Sequence, residues 1–68
     1  VSKVNPHKLQ KAEALVADLE AKLAGIDSQL ADPKVYGNAG RVAELGREQA
    51  ALRSKLETAE ADLLALYD

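Results

Sequence analysis

The sequence predicts an all-α fold, an antiparallel two-helix coiled-coil hairpin with a short capped turn at its tip. Leu9, Ala12, Val16, Leu19, Leu23, Ile26 and Leu30 form one run of alternating three- and four-residue spacing, and Val42, Leu45, Gln49, Leu52, Leu56, Ala59, Leu63 and Leu66 form a second. Such spacing keeps a narrow stripe of each helix turned towards a partner helix, the seam of a coiled coil rather than the broad face of a globular helix. Between the runs stand Asp32, Pro33, Gly37, Asn38 and Gly40, residues that stop helices and reverse the chain. The two runs also pair in antiparallel order with residue numbers that sum to 75. Leu9 meets Leu66, Ala12 meets Leu63, Val16 meets Ala59, Leu19 meets Leu56, Leu23 meets Leu52, Ile26 meets Gln49 and Leu30 meets Leu45. Only Val42 is left over, above the turn near Pro33.

The first helix is expected over about 6–31. Asn5 can accept a hydrogen bond from an orphan amide, and Pro6 at the first helical position sacrifices no donor. A turn over 32–39 follows. Pro33 disfavours helical geometry at Asp32, which can in its turn cap a short turn through Pro33, Lys34, Val35 and Tyr36. Val35 and Tyr36 are the large apolar groups of this connection and are expected to pack on Leu30, Val42 and Leu45, plugging the tip; the other role open to Tyr36 is contact. Asn38 or Gly40 then caps a second helix over about 40–67. Arg41 falls in its first turn, an unfavourable place for a cation beside the helix dipole. Either Arg41 reaches Glu44 or solvent, or it serves a function.

Glu13, Glu20 and Asp27 follow one side of the first seam, and Arg53 is expected within reach of Glu20. Lys22 and Lys55 can face each other on the opposite side, a mild conflict unless Glu48 swings in. Leu15 interrupts that polar flank, either widening the core near Leu19 or marking a contact with another chain. Gln49 is the one polar residue of the seam, a buried amide of the kind that fixes register at some cost in stability. Gly25 and Gly46 lie nearby, so the distal half is expected to fray first.

At 68 residues the chain makes one domain at most, 1–68, and its start at Val1 and stop at Asp68 suggest a piece of a larger protein. Helices of roughly 26 residues would be about 40 Å long, a thin rod with no cavity for a substrate. There is no cysteine for a disulfide or thiolate metal site. No stretch approaches a membrane span or a leader, so no membrane partner and a cytoplasmic location are expected.

Catalytic chemistry is not expected. His7 is the single histidine and has no acids at ligand spacing, which argues against a metal site or a triad. No GxxxxGK[ST] loop is present, so the segment is expected to hold no cofactor of its own. The carboxylates Glu44, Glu57 and Glu60 fall on convex helix surface, where water screens them.

The net charge of −2 gives no global attraction to nucleic acid. Its distribution is uneven. Lys3, Lys8 and Lys11 gather in residues 1–11, and Glu57, Glu60, Asp62 and Asp68 in residues 57–68. These segments meet at the open end of the hairpin, where they can neutralise one another or leave a basic base for a phosphate backbone.

Three stretches then resemble a known family. Lys3-Val4-Asn5-Pro6-His7-Lys8-Leu9, the turn Leu30-Ala31-Asp32-Pro33-Lys34-Val35-Tyr36 and the closing Leu64-Ala65-Leu66-Tyr67 are similar to the C-terminal coiled-coil domain of the ABC-F subfamily of ATP-binding cassette proteins, Uup-like members included. The Asp-Pro-x-x-Tyr turn is the most specific of them and suits the antiparallel arm of a valyl-tRNA synthetase less well. The resemblance implies a cytoplasmic parent with two ATPase domains, which would hold ATP and Mg, acting on ribosomes or DNA. The expected function is therefore a nucleic-acid- or ribosome-contacting arm that binds DNA or ribosomal RNA weakly. Its candidate contact residues are Lys34, Arg41 and Arg47 around the tip and Lys3, Lys8 and Lys11 at the base. The alternative is a structural coiled coil that docks on the parent ATPase domains or self-associates; a monomer or weak homodimer is expected.

Overall fold

The computed structural model describes residues 5–67. Helix α1 spans Pro6–Leu30, a single turn α2 spans Pro33–Tyr36, and α3 spans Ala39–Ala65. The two long helices pack against each other, α2 touches both, and the molecule measures 54 × 14 × 12 Å. The predicted hairpin is the observed fold, and among the described residues there is no strand.

Each helix begins with the same device. Asn5, Asp32 and Asn38 are extended residues whose side-chain oxygens accept hydrogen bonds from the backbone N–H groups of His7 (2.9 Å), Lys34 (2.9 Å) and Arg41 (3.1 Å). Each thereby satisfies one orphan donor at a helix start. The reversal consists of these capped breaks around one helical turn. Gly37 is right-handed, with φ −74° and ψ −8°, and no described residue has positive φ. The direction change lies in the extended backbone of Asp32 and Asn38, not in a left-handed glycine.

All fifteen predicted seam positions are buried or half-buried, and outside them only Val35 and Arg41 among the described residues are shielded to that degree. Leu19, Ile26, Leu45 and Ala59 are the fully buried core. The register is antiparallel, since the Gln49 amide donates to the Asp27 carboxylate at 2.6 Å and Leu15 and Leu19 share a groove with Ala59 and Lys55. These pairs lie within a residue of the numerical symmetry that the two runs predict.

Several finer expectations need correction. Tyr36 does not plug the tip: it is 71% exposed while Val35 is half-buried. Neighbours on a single helical turn point about 100° apart, so one turn can send only one of the two inwards. Leu15 does not widen the core either, being 51% exposed. The Gln49 amide is not enclosed in the seam; its side chain is long enough to leave the apolar line and reach exposed Asp27. Glu20 and Arg53 form no ion pair, because both ion pairs among the described residues, Lys22–Asp18 and Arg41–Glu44, lie within a single helix. At the tip Leu45 is 0% exposed, and both side-chain hydrogen bonds between the helices among the described residues are at this end, so packing there opposes the loosening expected from Gly25 and Gly46.

Candidate functional site

The cations proposed for contact fall into three groups. Lys34 and Arg47 are exposed at the tip, and neither side chain has a hydrogen-bond or ion-pair partner among the described residues. The caps fix the backbone beneath Lys34. The N–H groups of Val35 and Tyr36 both donate to the Asp32 carbonyl, at 3.0 and 3.1 Å, and that of Gly37 to the Pro33 carbonyl at 3.3 Å. A cation on an ordered turn at the end of a rod is well placed to touch an anionic surface, with little backbone entropy left to lose.

Arg41 belongs to the fold instead. One guanidinium nitrogen donates to Glu44 at 3.1 Å and the other to Gln29 on α1, also at 3.1 Å, so the side chain ties α3 to α1 and is half-buried. Its placement in the first turn is offset by this acid and amide rather than by an external anion.

At the base, Lys8 and Lys11 are exposed, and neither forms an ion pair with Glu57, Glu60 or Asp62. Direct neutralisation across the open end is therefore not made by these groups. Lys3 and Asp68 lie outside the described residues.

Seven-residue spacing divides the remaining surface into two flanks. Glu13, Glu20 and Asp27 line one side of α1, and Lys8, Leu15 and Lys22 line the other. On the second side lies an open groove of about 310 Å³, lined by Leu15, Leu19, Ser54, Lys55, Thr58, Ala59 and Asp62. Its floor exists because Ala59, a small residue in the seam, faces the flank that carries Leu15. Sequence reasoning found Leu15 but not the groove, although a small seam residue diagonal to a large flank residue was the signal. Lys22 pairs with Asp18 at 3.1 Å, one turn back on its own helix, and Glu48 takes no part in an ion pair among the described residues.

Among the described residues no three His, Cys, Asp or Glu side chains are grouped closely enough to hold a metal ion, and no helix is long and apolar enough to cross a membrane. The sequence model of one family, the ABC transporter C-terminal domain, matches residues 2–67, nearly the whole chain. No curated protein and no solved structure matches the chain significantly.

Proposed function

The chain belongs to the ABC transporter C-terminal domain family, and from that premise we propose that it is a non-catalytic arm through which a soluble ABC-F type ATPase touches nucleic acid or the ribosome. Hydrolysis of ATP with Mg would belong to P-loop domains of the parent, since this segment carries no such loop.

The observation that carries the reading is the pair of unpartnered tip cations. Lys34 sits on the turn that ends a 54 Å rod and Arg47 on α3 about 12 Å from that helix's start, so both can reach a phosphate backbone from the tip half of the hairpin. Each phosphate contact releases counterions, so affinity should fall as salt rises. With a net charge of −2, the binding expected is weak.

Titration of labelled duplex DNA, single-stranded DNA and ribosomal RNA at low and moderate salt tests this. Salt-sensitive binding that weakens in Lys34→Glu and Arg47→Glu, with Arg47→Glu leaving the thermal melt near that of the parent, supports the arm. Absence of binding even at low salt, or binding indifferent to salt and to both substitutions, removes it.

A further inference from the structure

We propose that a second copy of this chain covers the Leu15 groove, forming a two-fold four-helix bundle with both tips at the same end. Leu15 is half in solvent beside an apolar hollow whose floor includes buried Leu19 and Ala59. The rim residues Lys55 and Asp62 form no ion pair among the described residues. An exposed leucine next to an apolar hollow of about 310 Å³ is a knob and a hole on one surface, the pairing that interdigitating helices use.

The charges around the groove identify the occupant. From base to tip on the outer edge of this flank, α1 presents Lys11, Leu15 and Asp18, positions spaced four and three residues apart and hence on one helix face, with the flank's own Lys8 and Lys22 beyond them at either end and Lys22 already paired to Asp18. In the same direction α3 presents Asp62, then Thr58 with Ala59, then Lys55. One stripe runs cation, leucine, anion; the other runs anion, hollow, cation. A two-fold axis parallel to the rod sets α1 of one copy beside α3 of the other, antiparallel and at matching height. Lys11 then meets Asp62 of the second copy, Leu15 enters the hollow over its Thr58 and Ala59, and Asp18 meets its Lys55. The same contacts recur on the other side of the axis, as an isologous interface requires. Every helix is then antiparallel to both neighbours, the ordinary up-down arrangement of a four-helix bundle. Asp18 shares its existing exposed pair with Lys22, which yields easily because such pairs are weak. The inference does not depend on nucleic-acid contact, but it would bring two sets of Lys34 and Arg47 together at one end.

Sedimentation equilibrium of the chain across a concentration range is the experiment. A reversible dimer is expected whose dissociation constant rises about tenfold or more in Leu15→Lys, from loss of one buried leucine per copy. The thermal melt of dilute Leu15→Lys should match that of the parent chain, since the side chain is exposed in the monomer. Lys11→Asp and Asp62→Lys are each expected to weaken association, because both symmetry-related contacts become like-charged. Mixing the two variants should restore it, since the heterodimer pairs opposite charges at both contacts, a rescue that pairing within one chain cannot produce. A chain monomeric at every concentration overturns the proposal. So does a dimer indifferent to Leu15→Lys, or a mixture of the two charge variants that associates no better than either alone.

Discussion

Leu45 and Tyr36 mark the two extremes of the tip. Leu45 is entirely withdrawn from water, whereas Tyr36, nine residues earlier, is largely in it. Truncating a buried leucine typically costs about 2–5 kcal/mol, and a core in so small a chain rarely supplies more than about 3–5 kcal/mol. Leu45→Ala is therefore expected to abolish most helicity at 25 °C, read by far-ultraviolet circular dichroism. Tyr36→Ala should shift stability by less than about 0.5 kcal/mol. If the two variants melted alike, the burial pattern of the tip described above would be wrong. Arg41 reaches Glu44, one of the two outcomes open to it at a helix start, and its fork also takes Gln29, which the sequence did not indicate. A long forked side chain can hold a neighbour on its own helix and, at the same distance, one on the other helix twelve residues away.

The helices themselves are good but unfinished. Caps satisfy each start, while neither α1 nor α3 has an acid in its first turn or a base in its last, so the macrodipoles go uncompensated by side chains. Gly25 and Gly46 stand inside them, and a Cβ added at either position would meet nothing within 4 Å. With no steric obstacle, Gly25→Ala and Gly46→Ala should each stabilise by about 0.5–1 kcal/mol through helix propensity and reduced freedom of the unfolded chain. Urea unfolding of the single and double variants checks this; destabilisation by either would mean that the outer face of that helix is covered by something else. Both positions were legible as weak points in the sequence, and the structure adds that each has open space where a Cβ would stand.

Across the whole molecule, order should decline from tip to base. The tip has Leu45 and Ile26 buried, α2 lying against both long helices and two side-chain hydrogen bonds between them, whereas Leu9 and Leu66 at the base are only half-covered. Local opening is easiest where buried contacts are fewest. Amide hydrogen exchange is expected to be slowest around Ile26 and Leu45 and fastest over 6–10 and 62–66. The reverse gradient, with the glycine-bearing half exchanging first, would show that helix propensity outweighs packing here. Dimerisation through the Leu15 groove should slow exchange in the middle and base of the rod while leaving the tip unchanged, which separates the bundle from the contact made by Lys34 and Arg47.

The periodic pattern by itself determined two helices, the capped break between them, the seam and its antiparallel register, because a repeat of about 3.5 residues depends only on helix geometry and one line of contact. The ABC transporter C-terminal domain family, the coarser part of the resemblance, was also legible in the sequence. Only the tertiary structure decided which of Val35 and Tyr36 turns inwards, where the Arg41 fork and the Gln49 amide end, and that Leu15 stands beside a hollow. Those outcomes depend on the length and shape of side chains on the opposing helix at each level. A single strand of letters specifies that only after the two helices have been laid together.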